Sequence, residues 1–267
     1  MTSSCIAFIS LTEFKQYFMI VAISLTRMMV ILNITPFTSS SVISGIGRNA
    51  VILSLTLILF PLFLPPEEFS FNVLELTALL VKEGVLGALI GFYSSYALWI
   101  GESVGFFIDN QRGATLASVF NPLIGQTTSP LGNGLNVIFT AFFYVIGGFV
   151  SFLAIVYASY VTWPIFSFYP TFDGRFPLFV LASGDHLLRS IVLYSAPVVF
   201  IMFLSDFCLG LINRFAPQLQ VFFLSLPLKS GIGMLILIIY MGTLFALIKT
   251  EFNDSLIIIK YLHTLLS

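Results

Sequence analysis

Between Gly113 and Phe172 the chain contains no Asp, Glu, Lys, Arg or His. A stretch of that length with nothing ionisable cannot supply the hydrated surface of a soluble domain, where roughly a quarter of residues are charged. The whole chain follows suit, at 58% hydrophobic and 9% charged. In lipid every backbone N–H and C=O must be satisfied internally, and apolar runs of this length satisfy them as helices. The expected fold is therefore all-α, a polytopic integral membrane protein of apolar helices and helical hairpins.

Turn-forming residues divide the runs. A first span is expected over Phe14 to Ile34, interrupted by Arg27. Met1 to Thr12 lacks the basic region of a cleavable leader, so this span should stay in the mature chain. Pro36 and Ser39-Ser40-Ser41 end it, and Gly45-Ile46-Gly47 reads as a loop. Ala50 to Leu64 is the second span, closed by Pro61, Pro65 and Pro66. The third runs from Val73 to about Ile100. Its Glu75, Lys82 and Glu83 place its start outside the apolar layer or against another protein surface. Gly84, Gly87 and Gly91 recur at helical spacing, which lets helices approach closely.

Leu135 to Tyr160 is the fourth span, with a kink or close contact at Gly147-Gly148. Tyr157, Tyr160, Trp163 and Tyr169 near its end read as an interfacial aromatic belt. Pro164, Pro170, Asp173-Gly174 and Pro177 then mark a connecting segment, and Asp185-His186 reads as a solvated loop pair. Leu187 to Leu211 is the fifth span. Gln218 to Ile248 is one long helix or a hairpin bent near Pro227, followed by a short amphipathic tail. Arg48, Arg112 and Arg214 on the cytoplasmic side, with Glu67-Glu68 outside, follow the positive-inside tendency.

The polar residues cluster from Gly101 to Pro130. Asp109 and Arg112 are three apart, so on a helix they share a face and can pair. Glu102 lies two turns earlier on that face, and Asn110, Gln111 and Gly113 complete the turn. In a dry layer the set would be an ion-pair network fixing helix register; facing water it would line a polar path. A second stripe, Asp206, Asn213 and Gln220 with Arg214 beside it, shares one side only if the helix continues past Pro217. Lys229, between Pro227 and Gly231, needs a partner from another helix or chain, or reaches an interface by snorkelling.

Nothing here reads as an enzyme. There is no H-E-x-x-H, no phosphate-cradling glycine loop and no cysteine pair at metal spacing. His186 and His263 lie far apart, as do Cys5 and Cys208. No cofactor or metal is expected, and a net charge of -1 gives nucleic acid nothing to bind.

Two segments, IDNQRGATLASVFNP (Ile108 to Pro122) and LGLINRFAPQLQVFFLSLPLKSGI (Leu209 to Ile232), resemble the T-subunit family of the type III secretion export apparatus. This is the SpaR/YscT group, whose flagellar counterpart is FliR. Arg48-Asn49-Ala50 also fits the start of the family's second apolar segment. The resemblance covers nearly the whole chain, and the Arg214-to-Lys229 and Asp109-to-Gly113 motifs resemble the virulence-type branch.

The resemblance implies a component of the bacterial inner membrane at the base of the needle complex. One such chain would join R-type and S-type subunits in a helical cone, the entrance of the export channel, with much of the cone above the membrane plane. The U-type switch subunit, secreted polypeptides in transit and membrane lipid would be its other partners. About 1–185 would be the R-like part and about 186–267 an S-like hairpin. A plug loop near 106–130 would carry Leu116 and Val119, with Phe120 adjacent, where flagellar members have phenylalanines. Asp109 and Arg112 would hold the loop's base, with Gly113, Gly125 and Gly132 as hinges. Asp206, Arg214, Pro217, Gln218 and Lys229 would serve subunit contact or the hairpin. The alternative reading is a proton-coupled secondary transporter using the acids Glu102, Asp109 and Asp206.

Overall fold

The computed structural model describes residues 11–39, 42–59, 73–113, 129–166, 174, 176–215 and 221–265. Every regular element among them is helical. The order is α1 (Leu11–Ile34), a 3-10 turn (Pro36–Thr38), α2 (Gly45–Leu59), α3 (Val73–Arg112), α4 (Pro130–Val145), α5 (Gly148–Thr162), α6 (Phe176–Phe215) and α7 (Val221–Leu265). Four helical segments are long and apolar enough to cross a membrane: Tyr17–Ile34, Leu74–Arg112, Phe176–Phe215 and Leu224–Ser255. The pair α4 and α5, bent by 76°, makes a fifth if counted as one span. The chain is a multi-pass membrane protein.

Several boundaries differ from the sequence reading. Gly45-Ile46-Gly47 is the start of α2 rather than a loop, because the Ser44 carbonyl accepts from Arg48 N at 2.8 Å and its Oγ from Gly47 N at 3.4 Å. Helix α3 does not stop near Ile100 but carries the polar stretch as far as Arg112. Helix α6 begins at Phe176, so Asp185 and His186 are helical. Pro177 is its second residue, where the missing N–H costs nothing. Helix α7 runs on through Pro227, only two turns from its start, and takes in the tail beyond Lys249. The break at Gly147-Gly148 is present, and Gly147 adopts φ +75°, a conformation that favours glycine.

The chain divides into two compact units. The first contains α1, α2, the part of α3 before Tyr96 and α5 from Phe152 onward. Here α3 lies directly on α1. A Cβ on Gly87 would sit 2.8 Å from the Arg27 carbonyl oxygen, and one on Gly91 3.2 Å from that of Ile31. Gly84 has nothing within 4 Å.

Arg27 is the centre of this unit. It is wholly buried, with Nε and Nη2 at 2.5 and 2.9 Å from the two oxygens of Glu83, which is also wholly buried. Nη1 and Nη2 donate to the Ser159 and Trp163 carbonyls, both at 2.9 Å, and the guanidinium lies 4.3 Å above the Tyr160 ring. Lys82 pairs with Glu83 at 2.8 Å and donates to the Pro164 and Ile165 carbonyls. Two cations from other helices thus bind carbonyls in the last turn of α5 and just beyond it. This corrects two expectations. Lys82 and Glu83 do not lie outside the packed region, and Tyr160 and Trp163, at 2% and 5% exposure, are core rather than belt.

The second unit contains the rest of α3, α4, all of α6, and α7 as far as Lys260. Phe139 and Phe142 of α4 meet Phe245 of α7, and Phe143 meets Phe252. A Cβ on Gly233 would sit 2.8 Å from Sδ of Met202, which brings α7 close to α6. The outward faces stay apolar: Phe200, Phe203 and Phe207 on α6, and Leu235, Ile238 and Ile239 on α7, are all exposed. Surfaces of this kind mark membrane or protein contact.

Candidate functional site: an anchored helical hairpin

Helix α3 ends where its sequence provides a stop. Gly113 takes φ +82°, and its N–H bonds the Asn110 carbonyl at 3.2 Å. A glycine in the left-handed region just past the last turn is the usual helix terminator. Helix α4 opens equally distinctly. Ser129 is its N-cap, with Oγ accepting from Gly132 N at 2.8 Å and Pro130 in the first turn.

Asp109 joins the two ends. Its carboxylate is fully buried, and Oδ2 accepts from Ser129 Oγ at 2.6 Å and from Leu131 N at 2.9 Å. Arg112 Nε stands 2.6 Å from Oδ1, a close ion pair without the alignment of a hydrogen bond. The Ser129 hydroxyl therefore donates to Asp109 while accepting from Gly132, so one carboxylate orders the start of α4.

Further along, the helices run antiparallel and almost touch. A Cβ on Gly105 would lie 2.7 Å from Gly132 Cα, and one on Gly101 would run into the Phe139 ring. Glu102 Oε2 accepts from Asn136 Nδ2 at 2.7 Å, and Asn136 Oδ1 accepts from Thr140 at 3.2 Å. Glu102 is thus spent on α4 and does not join the Asp109–Arg112 pair, although the spacing along α3 allowed it.

Lys229 of α7 has two partners. Its ammonium lies 3.1 Å from Asp206 Oδ2 on α6 and 3.4 Å from the Gln111 carbonyl in the last turn of α3. It is held inside the unit rather than snorkelling away from it. Asn110 is exposed, as is Arg214 in the last turn of α6. Leu116, Val119, Phe120, Gly125, Pro217, Gln218 and Gln220 lie outside the described residues. Asp206, the first residue of the second stripe, pairs with Lys229 of α7.

Glu102, Asp109, Asp206 and Lys229 each have a defined partner, an arrangement suited to fixing positions rather than to turnover. Among the described residues no three His, Cys, Asp or Glu side chains converge as metal ligands would.

The family described as "Bacterial export proteins, family 1" matches residues 18–255. The chain is similar to the Yop proteins translocation protein T of Yersinia pestis, 38% identical over 217 residues, covering 81% of this chain and 83% of the relative. It is 34% identical over 220 residues to the surface presentation of antigens protein SpaR of Salmonella typhimurium, covering 82% and 81%. To the flagellar biosynthetic protein FliR of Bacillus subtilis it is 29% identical over 173 residues, covering 64% and 67%.

Proposed function

The chain belongs to the bacterial export proteins of family 1, the T-subunit/FliR family of type III export, and from that premise we propose that it is an inner-membrane gate subunit. With R-type and S-type subunits it forms the entry pore through which unfolded polypeptides leave the cell. The U-type switch subunit is a further neighbour in the assembly. The part up to about residue 185 plays the R-like role, and the remainder the S-like hairpin.

In this reading the segment 114–128 is the plug. Leu116, Val119 and Phe120 supply its apolar surface, and an apolar constriction blocks ions by dewetting. The observation that carries the reading is the Asp109 carboxylate, which binds both flanks of that segment at once. A loop obstructing a channel needs a base that stays in register while the loop itself yields. The exposed apolar faces of α6 and α7 support assembly with other apolar helices. The transporter alternative gains nothing from the geometry, since each acid it would use is already committed.

Co-purification tests the assembly. The full chain, tagged at its C-terminus and expressed with its neighbouring membrane subunits, is extracted in mild detergent and weighed intact. The gate reading requires a large complex with several copies of two other small membrane proteins. A lone monomer or homodimer under those conditions sinks it.

A further inference from the structure

The last turn of α3 ends in carbonyls that no later turn of that helix can serve. Asn110 O accepts from Gly113 N at 3.2 Å. Gln111 O, one residue on, lies 3.4 Å from the ammonium of Lys229, which belongs to α7 and stands 118 residues further along the chain. That distance is long for a hydrogen bond. A cation at the carboxyl end of a helix is also held by the partial negative charge gathered there. The end of α3 is thus capped by a side chain from another helix.

Lys229 is fixed in its turn. Its ammonium pairs with Asp206 Oδ2 of α6 at 3.1 Å. In the next layer α6 and α7 almost touch, since a Cβ on Gly233 would sit 2.8 Å from Met202 Sδ. Met202 comes four residues before Asp206 and Gly233 four after Lys229, so each pair shares a helix face and the two layers belong to one antiparallel interface. On the other side of Gln111, Asp109 binds Arg112, Ser129 and Leu131. Polar contacts therefore run from Asp206 on α6, through Lys229 on α7 and the last turn of α3, to the first turn of α4.

We propose that Lys229 is a positioning residue, which sets the base of the plug according to where the α6–α7 pair sits. The inference rests on reading 114–128 as the plug. Asp109 alone would hold the ends of α3 and α4 to each other and to nothing else. Lys229 ties the same base to α6 and α7, whose outer faces are apolar and exposed. A neighbouring helix that shifts the α6–α7 pair against α3 carries Lys229 with it. Of its two contacts the ion pair is the stronger, so Lys229 parts from Gln111 and stays with Asp206. The last turn of α3 then loses its cap, and the plug loses part of its base.

Two readouts on the full chain in its complete export complex test this. The first is amide exchange at residues 109–113. Asp206 lies on α6 and bonds Lys229, so Asp206→Asn should speed exchange at the end of α3 several-fold. In a Lys229→Met background, where the link is already cut, Asp206→Asn should add nothing. Exchange at 109–113 that ignores Asp206→Asn overturns the proposal, and so does an effect of Asp206→Asn that persists without Lys229. Asp206 is 34% exposed, so Asp206→Asn alone carries this arm if Lys229→Met does not assemble.

The second readout is small-ion leak from resting cells at equal complex abundance, with Leu116→Gly/Val119→Gly measured alongside. Lys229→Met should leak although every plug residue is in place, and Lys229→Arg, which keeps the cation, should leak less. A lysine that merely stabilised the α6–α7 interface would lower the melting temperature without opening the channel. If Lys229→Met stays sealed while the plug variant leaks, the proposal falls and the gate reading stands. If the plug variant is sealed as well, the gate reading falls and takes the proposal with it.

Discussion

Arg27 and Glu83 meet in a two-pronged ion pair with neither side chain exposed, although 56 residues separate them in the chain. Removing one member leaves an uncompensated buried charge, which costs on the order of 3–5 kcal/mol. Arg27→Met and Glu83→Leu should therefore each sharply lower the yield of folded protein. Arg27→Met/Glu83→Leu together should recover part of it. Detergent melting of the three variants checks this, and a double variant worse than either single would contradict the pairing.

The glycine contact between α3 and α4 makes a second prediction. Gly105→Ala places a methyl group 2.7 Å from backbone that cannot step aside, and Gly132→Ala meets the Glu102 carbonyl oxygen at 3.0 Å. Gly105→Ala should be the more damaging to assembly of the export complex. Gly84→Ala, with nothing within 4 Å, is the control and should behave as wild type. Complex abundance in membranes reads the difference.

Asp109→Ala leaves the Ser129 hydroxyl and Leu131 N–H without their acceptor and Arg112 without its counter-charge. Each buried polar group stranded this way costs about 1–3 kcal/mol. The start of α4 should fray, seen as faster amide exchange at 129–133, with α6 exchange unchanged. Ser129→Ala should show a milder form of the same effect.

Lys229→Met removes a largely buried cation from Asp206 and from the end of α3. Asp206 is about a third exposed, so water compensates part of the loss and the cost should be about 1 kcal/mol. Melting in detergent should show a small decrease for Lys229→Met. Lys229→Arg should lie between that variant and wild type.

The membrane class and the order of apolar segments were legible, because a charge-free run from Gly113 to Phe172 has few ways to fold. Contacts between near neighbours were legible too. Asp109 and Arg112 are one turn apart, and Gly147-Gly148 breaks a helix locally. What the sequence concealed was long-range pairing. A single Arg27 inside an apolar run looks the same whether it snorkels or is buried, and its partner Glu83 looked like a residue at the edge of the layer. Asp185 and His186 read as a loop because the neighbours of His186, Tyr96 and Glu251, belong to other helices. Pro227 left a bend open, yet α7 runs through it as one helix and gives up the bond that an N–H there would make to the carbonyl four residues back.

The most direct test of the gate concerns the segment that Asp109 anchors. Leu116→Gly/Val119→Gly is introduced into the chain within its complete export complex. Small-ion permeability of resting cells is then compared with wild type at equal complex abundance. The account requires a leak from the variant that wild type lacks. Permeability unchanged in fully assembled complexes would contradict it, and the segment would then need another role.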